Sequence, residues 1–570
     1  MILQRLVEFA ERIPDACPPM YERLEFKWQV KLDSEGRYAG TVPLSDGSRG
    51  LRLAVPNRKR SGTRAAPILL ADKVECVLGY GDESPGDSRK FREFRDLVCR
   101  CQDHTGDPAV AAVCRFLDEY AQKPFVLDER IKVGDRICFS VNDVRPTDIK
   151  VVSRFWLAET MADAKQETPM VMQCLICEQH GPVDRIAPLS IKRLGKMVDP
   201  KNGKAEVQLV SADKGGDAFH SFGKMQGYVA PTCRACGLAY IKSINFMLEA
   251  EQHHISAGPL VYLFWTRGDL EFNVRALLSQ PTEEDVRALV GSYRTGRDMP
   301  YIQAEAFYAL ALSASGSRGV VRDWLETTVG HVQANLARWF RIQRLSDAVD
   351  SPGRYYGVYA LTASLYPRKA GKPANLTDEK SSAGVARSLM RCALHGNPIP
   401  SSVLAQAIGR NRAEQGVTRN RAALIKAVLL SQMNDYKEDY MEKLDMTSTS
   451  QGYLCGRLLA ELEAAQKAAI NPKATIVDRY YGAASSAPAT VFGNLMRGSR
   501  AHMSTLNRDK RGAFIKIDKN IQEILSGLQE FPKTLNLKEQ AMFALGYYHQ
   551  KAARWAKSEV TETTDIEEAE

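Results

Sequence analysis

The spacing of apolar residues changes partway along the chain, and that change constrains the fold more than any single motif. In the first half, Phe26-Lys-Trp-Gln-Val-Lys-Leu32 alternates with period two, and Arg37–Leu44 follows a Glu35-Gly36 turn as its hairpin partner. Arg52–Val55 and Ile137–Val141 read as further short strands, and Leu260–Trp265 as a buried one. Residues 89–122 read as helix, with Phe91, Phe94, Leu97 and Val98 at helical spacing. From Thr282 the spacing becomes helical. Tyr301–Ala314 is read as helix, then Val320–Leu345, where Val321, Trp324, Leu325, Val329, Val332, Leu336 and Phe340 form one stripe. After the Pro/Gly/Lys-rich stretch 367–374, the segments 384–395, 401–415, 418–434, 452–470, 488–506, 514–530 and 537–556 all read as helices. The pattern predicts an α+β protein, a strand-rich N-terminal half followed by an all-α C-terminal helical bundle. Its expected parts are 1–270 (mixed α/β), 271–385 (helical middle region and linker), 386–557 (helical bundle) and 558–570 (a disordered acidic tail).

A length of 570 residues implies several domains, and 44% hydrophobic with 25% charged residues is an ordinary globular balance. No apolar run is long enough to span a bilayer. The N-terminus, with Leu3, Leu6, Val7 and Ala10 beside Glu8, Glu11 and Arg12, reads as an amphipathic helix and not a signal peptide. A cytoplasmic location is expected, and with it no disulfide framework for the 12 cysteines. Cys17, Cys76, Cys99, Cys101, Cys114, Cys138, Cys392 and Cys455 are scattered and read as small buried hydrophobes. The formal charge of +9 understates the basic character, because Glu559, Glu562, Asp565, Glu567, Glu568 and Glu570 close the chain without a basic residue among them. A polyanionic partner is therefore plausible.

The other four cysteines form two CxxC pairs, Cys174-Leu-Ile-Cys177 and Cys233-Arg-Ala-Cys236, separated by 55 residues. Four thiolates are the set a tetrahedral structural zinc prefers, and such a closed site scaffolds without catalysing. The alternative is four unrelated core cysteines. A basic loop, Pro56–Pro67, holds Arg58, Lys59, Arg60, Ser61, Gly62 and Arg64. It suits insertion into a duplex groove or along phosphates, or else a solvated hairpin tip. Lys192, Arg193 and Lys196 make a second basic loop inside the insert. Residues 447–557 carry 16 Lys plus Arg against 8 Asp plus Glu, with Arg497, Arg500, Arg508, Lys510, Arg511, Lys516 and Lys519 around one helix–loop–helix junction. Such a surface can follow a single strand by charge alone. GxxxxGK[ST], HExxH, a His-Asp phosphohydrolase pair and GxSxG are all missing, so a non-enzymatic role is expected, with no catalytic residues.

Ordered blocks along nearly the whole chain resemble a known family. They include Lys59-Arg-Ser-Gly62, Gln226-Gly-Tyr-Val-Ala-Pro231, Phe307-Tyr-Ala-Leu-Ala-Leu312, Val321-Arg-Asp-Trp-Leu-Glu326 and Leu394-His-Gly-Asn-Pro-Ile-Pro400. Further blocks are Arg421-Ala-Ala-Leu-Ile-Lys426, Asp478-Arg-Tyr-Tyr-Gly-Ala-Ala-Ser485 and Phe543-Ala-Leu-Gly-Tyr-Tyr-His-Gln550. Together they resemble the large subunits of type I-C CRISPR Cascade complexes. The resemblance implies a subunit at the base of a crRNA-bound filament of backbone subunits, near the crRNA-processing subunit. It would inspect the short PAM duplex through the 58–64 loop of its N-terminal domain, support R-loop formation, hold the displaced strand and recruit a helicase–nuclease. It also implies that the C-terminal bundle stands for the small subunit, with separate copies made from an internal start for which Met433, Met441 and Met446 are candidates. Target sequence itself would be read by the guide. The rival readings are a stand-alone zinc-containing DNA-binding regulator and a nuclease with an unfamiliar site.

Overall fold

The computed structural model describes residues 2–13, 18, 20–44, 50–58, 66–81, 85–163, 170–212, 224–268, 272–295, 300–346, 355–367, 376, 381–437 and 440–567. The chain divides into two compact units. The first holds residues 1–193, 206–246 and 317–319, and the second 194–205, 247–316 and 320–570.

In the first unit a helix α1 (Ile2–Ala10) precedes strands β1 (Tyr21–Phe26), β2 (Trp28–Leu32), β3 (Tyr38–Pro43), β4 (Leu51–Pro56) and β5 (Ala71–Lys73). The expected hairpin is present: β2 pairs antiparallel with β3. On its other edge β2 runs parallel to β6 (Arg136–Val141), giving the sheet order β3-β2-β6-β5. The helical stretch 89–122 is two helices, α2 (Arg89–Thr105) and α3 (Pro108–Gln122). Gly106 ends the first in the left-handed region at φ +63, and Asp107 caps the second by accepting from Ala109 N at 2.9 Å, with Pro108 at the first helical position. Phe116 packs edge-on against Phe139 of β6, 5.9 Å between ring centres, which seats α3 on the sheet. Cys99 and Cys114 were expected as separate buried hydrophobes; instead they are joined by a disulfide that links α2 to α3. Their Cα atoms lie 5.6 Å apart because adjacent antiparallel helices bring the facing positions together, a proximity the sequence does not display. A separate two-stranded ribbon pairs β1 with β4 antiparallel, and Phe26, Leu53 and Val55 on its inner face join Ala71 and Cys138 in one buried cluster. After helix α4 (Lys150–Asp163) come β7 (Val171–Gln173), β8 (His180–Pro182), β9 (Ile191–Lys192), β10 (Glu206–Val207) and helix α5 (Arg234–Glu249).

The second unit holds a sheet that includes the expected buried strand at 260–265, but its next two strands lie where helix was expected. Strands β11 (His254–Ser256), β12 (Val261–Thr266), β13 (Ala306–Ser315) and β14 (Arg318–Thr328) lie in that order. Residues 307–312 are at most 3% exposed, so both faces of β13 are covered and the strand reads as an unbroken apolar run, which periodicity cannot tell from a buried helix. The stripe assigned to 320–345 was two elements. Val321, Trp324 and Leu325 belong to β14, and the helix α6 (Val329–Gln343) starts only where the Thr328 hydroxyl accepts from His331 N. The seven predicted bundle helices are present, with one more that was not predicted, α11: α7 (Ser382–His395), α8 (Ser401–Glu414), α9 (Arg419–Ser431), α10 (Gln451–Ile470), α11 (Ile476–Ala484), α12 (Pro488–Asp509), α13 (Arg511–Gly527) and α14 (Leu537–Glu567). The last helix runs past residue 558, and 568–570 lie outside the described residues.

Helices α10 and α14 meet at glycines. A Cβ on Gly456 would overlap the Phe543 carbonyl oxygen, and one on Gly546 would overlap that of Tyr453. Only hydrogen fits between these backbones. A buried polar network fixes their register. Arg457, 0% exposed, donates to Gln550 Oε1 at 2.8 Å and to Glu523 Oε1 at 3.0 Å. Gln550 Nε2 donates to Glu461 Oε1 at 2.7 Å, and Arg554 pairs with the same carboxylate at 2.9 Å. Around α10 pack α12, α13 and α14, so this glycine contact underlies the hairpin that carries the C-terminal basic residues.

Candidate metal centre and nucleic-acid interface

The four cysteines of the two CxxC pairs come together in the first unit. Cys174 follows β7, and the turn to β8 presents Cys177 on the same side. Ile176 N donates to Cys174 Sγ at 3.4 Å, Glu178 N to the Cys174 carbonyl at 2.9 Å, and Glu178 takes a left-handed φ of +61. Cys233 directly precedes α5 and Cys236 sits in its first turn. Cys233 N reaches Cys174 Sγ at 3.4 Å, and Leu175 N donates to Pro231 O at 2.9 Å, tying the two knuckles together. All four Sγ atoms lie within 4.8 Å of one another, Cys177 and Cys233 at 3.8 Å. Sulfurs at about 2.3 Å from a tetrahedral zinc are about 3.8 Å apart, so the donor set fits a metal ion of that kind. Burial works against ionisation of Cys174, but N–H bonds from Cys177, Cys233 and Ile176 outweigh it and bring the thiol down to about 7. Burial raises Cys233 and Cys236, helped at Cys236 by the neighbouring sulfurs. Four crowded thiols cannot all ionise unaided; a central dication would make thiolates of them all.

The cluster is tied into its surroundings. Gln4 of α1 donates to Ile176 O at 3.2 Å, and Ser243 of α5 donates to Leu6 O at 2.6 Å. Arg234 clasps Asp184 at 2.8 Å and reaches Thr160 O at 3.0 Å. A metal held here would staple the β7–β8 hairpin to the start of α5, against which α1 and α4 are held through Gln4 and Arg234.

Of the basic loop, Arg58 is described, whereas Lys59, Arg60, Ser61, Gly62 and Arg64 lie outside the described residues. Arg58 donates to Pro67 O at 2.7 Å across the loop's base and stacks over Trp156, 5.2 Å from the ring centre. Lys192 is brought to the same place: its Nζ pairs with Glu22 of β1 at 2.5 Å. Arg58 and Lys192, with Asp72, Lys73, Arg136 and Glu206, line a cavity of about 310 Å³. Arg193 follows Lys192 at φ +68 and is exposed. Lys196 belongs to the second unit, where it reaches the carbonyls of Pro200 and Lys201 at 3.4 Å. Three residues that the sequence did not single out belong to the Arg58–Lys192 region: Arg23 and Arg52 on the ribbon and Asn245 on α5. Period-two alternation puts both arginines on the outer face, but nothing local says what faces them.

In the second unit α12 and α13 form a hairpin that turns at Lys510, with Phe492, Leu495, Leu506, Ile517, Ile521 and Ile524 buried beneath. All seven predicted cations of this hairpin are exposed. Arg508 pairs with Asp509 at 2.7 Å, Arg511 donates to Asn507 at 2.9 Å, and Lys510 to Ala468 O at 2.8 Å. Arg497, Arg500, Lys516 and Lys519 have no side-chain partner among the described residues. The i, i+3 spacing of Arg497 with Arg500 and of Lys516 with Lys519 places each pair on one helix face.

The first unit thus holds a four-cysteine cluster that could bind a metal ion, and the second an exposed cationic hairpin; among the described residues no helix is long and apolar enough to cross a bilayer. Comparison with protein families is specific: the chain matches the family model described as CRISPR-associated protein (Cas_Csd1) over residues 3–555 and belongs to that family. It is thus a CRISPR-associated protein of Cascade type. A comparison with curated proteins finds no match.

Proposed function

We propose that this chain is the non-catalytic large subunit of a type I-C Cascade complex. It recognises the PAM duplex through the 58–64 loop and supports R-loop formation. It holds the displaced strand on the α12–α13 hairpin and recruits the helicase–nuclease. Its partners are the crRNA-bound backbone subunits, the crRNA-processing subunit and small-subunit copies from an internal start. The four cysteines hold a structural zinc. The observation that carries the reading is the separation of two kinds of basic surface. One is anchored on strands at Arg58 and Lys192, beside a cavity lined by both charges, and strand support suits groove reading of a short duplex. The other is a helical hairpin whose exposed cations suit sequence-independent phosphate contact.

The test exchanges the two sets. Neutralising Arg497, Arg500, Lys510 and Arg511 together should shorten R-loop lifetime on every target, flatten its salt dependence and leave PAM preference intact. Neutralising Arg58, Arg60 and Arg64 should abolish PAM-dependent binding. A change of PAM preference from the first set, with none from the second, would refute the assignment.

A further inference from the structure

The outer face of the β1–β4 ribbon carries charges the reading above leaves unused. Pairing sets Glu25 opposite Arg52 and Arg23 opposite Ala54, so Arg23, Glu25 and Arg52 project away from the inner Phe26–Leu53–Val55 side. Diagonal neighbours on such a pair lie about 7–8 Å apart, within reach of long side chains. Arg52 Nη2 donates to the Arg23 carbonyl at 3.3 Å, which draws its guanidinium back across the ribbon. Glu25 is turned aside: its Oε1 accepts from Gly50 N at 2.7 Å. The other nearby acid, Glu22, takes Lys192 at 2.5 Å and the Asn57 amide.

A third guanidinium is brought in from outside the ribbon. Asn245 Oδ1 accepts from Lys192 N at 2.8 Å while its Nδ2 donates to Ser190 O at 3.0 Å, fixing the strand that ends just before Arg193. Lys192 Nζ pairs with Glu22 of β1, which sets the next residue, Arg193, beside the ribbon. Burial lowers the Arg52 pKa first, and repulsion from Arg193 and then Arg23 lowers it further. Arg23 and Arg193 have no side-chain partner among the described residues. Like charges gathered in this way are relieved by an anion. The rings on β1 itself, Tyr21 and Phe26, are 2% and 0% exposed, so the strand offers no stacking surface for unpaired bases. Charge without stacking suits a duplex, whose bases are stacked inward and whose phosphates face out.

We propose that Arg23, Arg52 and Arg193 form a second DNA contact beside the root of the basic loop, gripping backbone phosphates of duplex DNA without reading sequence. The proposal rests on the duplex-binding reading above and adds a division of labour within it: affinity from the ribbon face, discrimination from the loop.

The experiment measures binding of the full-length chain to a duplex library randomised over the PAM positions, from about 50 to 200 mM salt. Arg193→Asn keeps a residue type that tolerates the left-handed backbone, and is combined with Arg23→Gln and Arg52→Gln. Loss of three phosphate contacts should make the slope of log K against log salt shallower by about 2.7, and weaken binding about a hundredfold near physiological salt, equally for all library members. Arg193→Asn alone should flatten the slope by about 0.9, and serves if the triple variant unfolds. An unchanged slope in both variants, or a loss confined to particular library members, would overturn the proposal. If the wild-type chain selects no library member yet the variants flatten the slope, the PAM reading fails and this one stands. If the wild type selects and the slope does not move, the reverse holds.

Discussion

One methyl group, added to two glycines of the bundle, should move stability in opposite directions. At Gly456 of α10 a Cβ would overlap the Phe543 carbonyl oxygen and lie 2.8 Å from Tyr547 N and 2.9 Å from Phe543 C, all of them backbone atoms of α14. No rotamer change can relieve backbone contacts, so the helices must separate. Overpacking of this kind costs about 1–3 kcal/mol, and rigid neighbours put Gly456→Ala near the upper end. Alanine's better helix propensity returns about 1 kcal/mol, leaving a net loss of about 2 kcal/mol. At Gly498 of α12 an added Cβ meets nothing within 4 Å, so Gly498→Ala keeps only the propensity gain, up to about 1 kcal/mol. Thermal unfolding followed by circular dichroism should show the Gly456→Ala transition lowered by roughly 4–8 °C and the Gly498→Ala transition raised by a few degrees. Equal shifts in the two variants, or a Gly456→Ala protein as stable as wild type, would refute the close-packing argument. Because α12 and α13 pack on α10, Gly456→Ala should also weaken single-strand binding as the hairpin's support loosens.

Elemental analysis of protein purified under reducing conditions should give about one zinc per chain, lost in Cys177→Ser/Cys233→Ser; retained metal in that variant would remove the four-thiolate site. Metal loss should also speed proteolysis near α1, which leans on the cluster through Gln4. His549 is 1% exposed, its Nδ1 faces the Tyr453 hydroxyl at 3.0 Å, and burial followed by Lys426 holds its pKa down to about 3. The unfolded chain takes up that proton near the ordinary 6.5, so stability is complete above that pH and falls by about 1.4 kcal/mol per pH unit below it, towards the folded value. His549→Gln should flatten the dependence of unfolding free energy on pH between about 6.5 and 5, and an unaltered slope would count against it.

The parts of this protein that can be read from its sequence are those in which neighbours along the chain decide the outcome. The β2–β3 hairpin followed from strict alternation around a Gly turn, and α13 from the stripe Ile517, Ile521 and Ile524, all buried. Each CxxC pair was legible locally and thiolate chemistry pointed to their union, although the meeting of pairs 55 residues apart is made by the fold. What failed was non-local. The buried β13 has no polar face to betray its period, and the stripe that runs on into α6 hid a strand-to-helix switch at Thr328. The disulfide between Cys99 and Cys114 depends on how two helices lie against each other. The meeting of Lys192 with Glu22 brings together residues about 170 positions apart and exists only through tertiary packing. Arg23, Arg52 and Asn245 were passed over for that reason: each is unremarkable in its own segment.

The central claim is that this subunit confers PAM-dependent recognition of duplex DNA. The most direct measurement is binding of the complex, assembled with crRNA and partner subunits, to target duplexes that differ only in the PAM. The account predicts binding that requires the PAM and loses that requirement's benefit when Arg58, Arg60 and Arg64 are neutralised. Binding indifferent to the PAM, or discrimination that survives loss of all three arginines, would contradict it.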